Sequence, residues 1–241
     1  MNALVREPLF YIFFIYGVSF LIMAAVVFRG VRKATSISLV TSYNALALFG
    51  LTHGITELVD WVRFILKATG NGEVQALKYL SQFMLIASFV LLLQFGVNLL
   101  TYRNEKVRPL RLAPSILFLV YVIALAFMRP ADVADAGLIA RHTFGFVGAL
   151  LSGVALFALA KSMRELVDAH VVQGLAMTAT SFCVYAVVGG LIVKPVFGMP
   201  IQLFRAACAV AAAVSSFYIL GVFRADERPA PVPDAMAESA V

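Results

Sequence analysis

Seven apolar runs separated by short polar breaks organise the 241-residue chain. They cover residues 9–28, 38–62, 78–101, 112–128, 140–160, 170–193 and 201–223. A helix of about 20 apolar residues crosses the roughly 30 Å hydrocarbon layer of a bilayer. The pattern therefore predicts an all-α, polytopic membrane protein with seven transmembrane helices. The fourth run is the shortest, but Pro114 near its start suits a first helical turn, where the missing N–H costs no bond. The second is the least apolar, because His53, Glu57 and Asp60 fall toward its end. Residues 1–224 read as one membrane domain. Residues 225–241, with Pro229, Pro231 and Pro233, have little to bury and read as a disordered cytoplasmic tail.

The breaks set a direction. Eleven of the 19 basic residues fall on one side, among them Arg29, Arg32, Arg103, Lys106, Arg108 and Arg111. That side is expected to be cytoplasmic, with the amino terminus outside and the carboxyl terminus inside. Composition agrees: 62% of residues are hydrophobic and 13% charged, against about 25% charged in a soluble domain. The net charge of +6 then belongs to the loops and does not imply a nucleic-acid partner. Arg6 precedes the first run, but Glu7-Pro8 follow it and no small-x-small site closes the run. The segment reads as a retained helix rather than a cleaved signal. Cys183 and Cys208 lie within predicted helices and read as small packing residues. The longer external connections are 63–77, with a turn at Gly70-Asn71-Gly72, and 129–139, polar at Asp132 and Asp135.

Polar groups inside a membrane helix are costly, so their positions are the leading functional signal. His53, Glu57 and Asp60 are spaced four and three apart, which puts them within about 60° on one helix face. Ser42 extends the stripe, and Arg63 and Lys67 carry it to the interface. In the predicted topology the stripe lies in the outer leaflet. Arg141 and His142 open the fifth helix on that side, Gln202 and Arg205 open the seventh, and Lys194 closes the sixth. The candidate ligand-binding set is His53, Glu57, Asp60, Arg141, His142, Gln202 and Arg205. Pairs such as Glu57–Arg205 or Asp60–Arg141 would offset the cost of burying either charge alone. Two stripes, Arg205-Ala209-Ala212-Ser216 and His142-Gly145-Ala149-Gly153, have small residues. They permit close helix packing or leave a cavity beneath the polar cluster. The same polar groups also suit a purely structural network.

Enzyme readings fail on pattern. The chain has no G-x-S-x-G, Walker, H-E-x-x-H or C-x-x-C-H motif, and its loops are too short for a soluble catalytic domain. Of the three His residues, His170 falls at the opposite membrane face from His53 and His142, so a three-His zinc site is not expected. The stretch Thr52-His53-Gly54-Ile55-Thr56-Glu57-Leu58-Val59-Asp60-Trp61 resembles the multi-helix membrane sensory region ahead of histidine kinase, PAS or diguanylate cyclase modules in bacterial signalling proteins. The resemblance continues at residues 141–150, Arg-His-Thr-Phe-Gly-Phe-Val-Gly-Ala-Leu, and at residues 198–206, Gly-Met-Pro-Ile-Gln-Leu-Phe-Arg-Ala. It implies a multi-pass protein of the bacterial inner membrane. Such regions lead into a cytoplasmic effector, whereas this sequence runs only 18 residues beyond Phe223.

The expectation is a non-catalytic sensory or ligand-binding module that acts through a partner protein. A haem- or quinone-binding, or structural, subunit of a redox complex is an alternative. Bis-His haem b would use His53 and His142, which share one depth. A small-solute transporter is a third reading, without visible repeats or broken helices. Partners are expected to be membrane lipid and either a second copy or an integral membrane subunit. The basic segment 103–111 suits anionic headgroups.

Overall fold

The computed structural model describes residues 7–32, 34, 37–72, 74–102, 105–128, 130 and 132–226. Helix α1 (Pro8–Val31) carries its proline in the first turn, where no N–H is missed. Helices α2 (Ile37–Ala68) and α3 (Gln75–Leu100) follow, and a 3-10 helix (Glu105–Leu112) leads into α4 (Ala113–Met128). Helices α5 (Val133–Ala140) and α6 (Phe146–Met163) form one rod interrupted by a π turn (Arg141–Gly145). Helix α7 (Ala169–Tyr185) runs into a second π turn (Ala186–Leu191), and α8 (Ile201–Asp226) closes the described chain.

Among the described residues, six helical stretches are long and apolar enough to cross a membrane: Pro8–Val31, Gln75–Leu100, Lys106–Met128, Val133–Met163, Ala169–Leu191 and Ile201–Phe223. The chain is thus an all-helical membrane protein. Helix α2 is not among the six, because Asn44, His53, Glu57, Asp60 and Arg63 interrupt its apolar run. Packing explains how α2 tolerates them. Neighbour contacts run α1–α2–α3–α6–α7–α8 and back to α1, a closed ring of six rods. Helix α2 turns its polar stripe into this ring, where Ser42, His53, Thr56 and Glu57 are all buried. Helix α4 stands outside, packed on α3, with only Pro114 and Tyr121 buried.

Small residues set the closest approaches. A Cβ at Gly17 would lie 2.9 Å from the Gly54 carbonyl oxygen, and one at Gly54 would lie 2.8 Å from that of Gly17. Helices α1 and α2 therefore touch backbone to backbone. The same holds for α3 and α6, where a Cβ at Gly148 would meet the Leu93 nitrogen at 2.8 Å. Cys183 packs on Gly153, and neither Cys183 nor Cys208 is in a disulfide.

Several expected boundaries shift. The fifth helix begins at Val133, not 140, because Asp132 and Asp135 form a capping box instead of a polar loop. Helix α2 continues to Ala68, six residues beyond the expected end, before Gly70 (φ 81°) and Gly72 (φ 73°) make the expected turn. Most of the basic segment 103–111 folds as the 3-10 helix. Of the tail expected over 225–241, residues 227–241 lie outside the described residues.

Candidate functional site

The interior of the ring is organised around one imidazole. Tyr16 and His53 flank Gly17 and Gly54, so the close α1–α2 contact brings them side by side. The His53 side chain is fully buried. Its Nε2 lies 2.8 Å from the Tyr185 hydroxyl and 3.2 Å from that of Tyr16, and the two hydroxyls are 2.8 Å apart. Its Nδ1 lies 2.8 Å from Ser88 Oγ, whose own proton is donated to the Leu85 carbonyl at 2.7 Å. A hydroxyl has one proton. Ser88 therefore accepts from His53, which fixes the tautomer with hydrogen on Nδ1 and leaves Nε2 as an acceptor. The two short contacts then order the chain as Tyr16 to Tyr185 to His53. Side chains from α1, α2, α3 and α7 meet here, and Phe20, Phe49 and Phe89 wall the ring at centroid distances of 4.8, 5.3 and 5.5 Å.

A charged rim lies beside this hub. Glu57, one turn on, is buried with Oε1 3.6 Å from His53 Nε2. Arg205 is buried and spans two carbonyls of the distorted end of α7, donating from Nε to Val188 at 2.8 Å and from Nη2 to Ile192 at 2.7 Å. Arg141 donates from Nη1 to the Gly189 carbonyl at 3.3 Å and lies 5.6 Å over the Phe89 ring. The π turn frees carbonyls from the regular ladder, and the two guanidiniums satisfy them. Both arginines also act electrostatically on His53 and Glu57.

The structure sorts the expected set. His53, Glu57, Arg141 and Arg205 come together. Asp60 does not join them: its Oδ1 accepts from Arg63 at 2.6 Å and from Ser81 at 2.7 Å, so the anticipated Asp60–Arg141 pair is replaced by local partners. No Glu57–Arg205 ion pair forms among the described residues, because Arg205 is committed to backbone carbonyls. Gln202 is partly buried and bonds to no described residue. His142 is exposed while Gly145, Ala149 and Gly153 are buried. The i→i+5 turn over 141–145 breaks the 100° count that had put all four on one face. His142 thus faces away from His53, whose two nitrogens are both engaged, and the pair does not fit a bis-His haem. Among the described residues no three His, Cys, Asp or Glu side chains gather to hold a metal ion.

Tyr16, Ser88 and Tyr185 were not anticipated. Each is a hydroxyl in an apolar span, and depth was the usable signal. Tyr16 lies eight residues into α1, roughly 12 Å at 1.5 Å per residue, and Arg141 lies eight residues into the α5 rod. No protein-family model, curated protein or solved structure matches the chain.

Proposed function

We propose that the chain is a non-catalytic membrane sensory module with seven spans, α2 included, and its amino terminus outside. A stimulus acting on the charged rim of Glu57, Arg141 and Arg205 changes the hydrogen bonding of His53. The hub passes that change to the packing of four helices, and a partner protein reads it. The observation that carries this reading is that one imidazole bonds to α1, α3 and α7 from α2, across the whole ring. Any change in its donor and acceptor pattern must be answered by three other helices. The stretch from His53 to Asp60 and its likeness to bacterial sensory membrane regions support the same reading.

The test is one of coupling. Spin labels at exposed positions 29 and 170 report the distance between the far ends of α1 and α7 in the full chain in lipid nanodiscs. Replacing the rim carboxyl with Glu57→Gln is expected to shift the distance distribution, and the shift should disappear in a His53→Gln background. Circular dichroism and elution volume confirm that each variant folds. A shift of equal size in both backgrounds, or none in either, would remove the sensory reading.

A further inference from the structure

We infer that the end of the bundle where α2 begins and α3 finishes holds a binding site for a phosphate-bearing anion, occupied in the membrane by an anionic lipid headgroup. A cavity of about 990 Å³ opens there, with Thr41, Thr101, Tyr102, Arg108 and Arg111 on its polar wall and no carboxylate among the described lining residues. Guanidinium forks match the geometry and charge of phosphate oxygens, whereas the Thr41 and Thr101 hydroxyls donate their protons to the Ile37 and Val97 carbonyls.

The wall is held in place. Arg111 donates from Nε to Thr101 Oγ1 at 2.9 Å and from Nη2 to the Thr101 carbonyl at 3.3 Å. Its own carbonyl accepts from Gln94 Nε2 at 3.0 Å, and Gln94 also donates to Asn98 at 2.7 Å. The 3-10 helix is thereby buckled to the end of α3. Side chains three apart eclipse on a 3-10 helix, so Arg108 projects from the same edge as Arg111. Arg108 is exposed and has no hydrogen bond or ion pair to a described residue. A rigid arginine beside a free one is a suitable pair of donors for an incoming anion.

Depth favours a lipid. Ile37 and Leu112 line the same cavity and are 83% and 64% exposed. The apolar span of α4 starts directly beyond, with Ile116, Leu119 and Val120 exposed along it. A headgroup phosphate held by Arg108 and Arg111 would leave its acyl chains beside this flank. Basic residues that only set orientation need no such cavity and would act equally at any position of that face.

The experiment measures the thermal midpoint of the purified full chain in mild detergent with added phosphatidylglycerol, phosphatidylcholine or inorganic phosphate. At tenfold over its dissociation constant a ligand of the folded state should raise the midpoint by about 3–6 °C. Phosphatidylglycerol is expected to do so for the wild type and for Arg29→Gln, an exposed basic residue at the same end, but not for Arg108→Gln. A matching rise with inorganic phosphate, lost in Arg108→Gln, supports the anion site and assigns it to the free ion. Equal effects of phosphatidylcholine and phosphatidylglycerol, no effect of any anion, or a rise retained in Arg108→Gln would overturn the proposal.

Discussion

His53 Nε2 and the Tyr185 hydroxyl lie 2.8 Å apart although their residues are 132 positions apart in sequence and belong to helices on opposite sides of the ring. With Nδ1 holding the ring hydrogen, Nε2 needs one donor, and two tyrosine hydroxyls are within reach.

That redundancy predicts non-additive mutants. In Tyr185→Phe the Tyr16 hydroxyl can still donate to Nε2, and in Tyr16→Phe the Tyr185 hydroxyl already does. Each single change should cost about 1 kcal/mol or less, whereas the double variant leaves a buried acceptor unsatisfied and should lose a further 1–3 kcal/mol or so. Reversible unfolding in mixed micelles of all three variants measures the interaction. Strict additivity would mean that Nε2 is not the shared acceptor.

The helical rods were legible in the hydrophobic pattern because most are long apolar runs: five of the six in the ring, and α4 outside it, qualify on composition, whereas the order in which they close into a ring was not legible. The polar stripe of α2 was legible for the same reason: charges at helical spacing in an apolar context stand out. What the stripe touches was not. His53 bonds to hydroxyls of Tyr16, Ser88 and Tyr185, residues that also occur in membrane helices without special roles, so only depth matching across spans would have singled them out. The facing of His142 was misjudged because a π turn over 141–145 has no simple composition signature, and one such turn rotates everything beyond it. The start of α5 was readable in principle, since Asp132 and Asp135 stand at capping-box spacing.

Gly54 ties the hub to the helix contact. Its missing Cβ lets α1 approach to within 2.8 Å of where that atom would be. In Gly54→Ala the neighbour is backbone and cannot rotate away, so α1 must move and Tyr16 moves with it. The expected outcome is a loss of about 1–3 kcal/mol, together with a changed tyrosine environment in near-ultraviolet dichroism. Gly70→Ala is the contrast: nothing lies within 4 Å of the added Cβ, and only the φ of 81° opposes it. Its cost should stay near 1 kcal/mol, with an unaltered tyrosine signal.

The turn between α7 and α8 contains removable strain. Val196 and Met199 exchange both backbone hydrogen bonds at 3.0 Å, which places Phe197 at φ 51° and Gly198 at φ 74°. Two successive left-handed residues suit Asn-Gly, not Phe-Gly. Phe197→Asn should therefore stabilise the chain by roughly 1 kcal/mol in detergent. A lower midpoint would mean that the ring, 90% exposed in the isolated chain, is seated in the micelle.

Asp132 gives a signed pH dependence. Its hydrogen bond from Lys78, helped by the Ala134 amide, holds the carboxyl below its ordinary value. A depressed carboxyl stabilises the fold above its unfolded pKa of about 3.9, and the contribution is lost as pH falls through the folded value. Asp132→Asn retains a capping oxygen but not the charge that pairs with Lys78. The midpoint difference between wild type and Asp132→Asn should be level above about pH 5 and should vanish in stronger acid. A difference that grows on acidification would contradict the assignment.

Arg205 is the residue for which charge and shape can be separated. The end of α7 bonds from the Ile192 amide to the Val187 carbonyl at 3.0 Å, a wide turn that leaves neighbouring carbonyls without their regular partners. Arg205 spans two of these, on Val188 and Ile192, with two nitrogens of one planar fork. A lysine keeps the positive charge near Glu57 but offers a single point and cannot reproduce that fork. Arg205→Lys should lose about 1–3 kcal/mol, the cost of a buried unsatisfied carbonyl, and hydrogen exchange should rise selectively over residues 186–192. Arg141 makes one longer contact, 3.3 Å to Gly189, so Arg141→Lys should be milder and should leave exchange in that segment nearly unchanged. If instead both lysine variants behave as the wild type while Arg205→Gln is severe, the guanidinium serves as a countercharge to Glu57 and not as a clamp on the π turn.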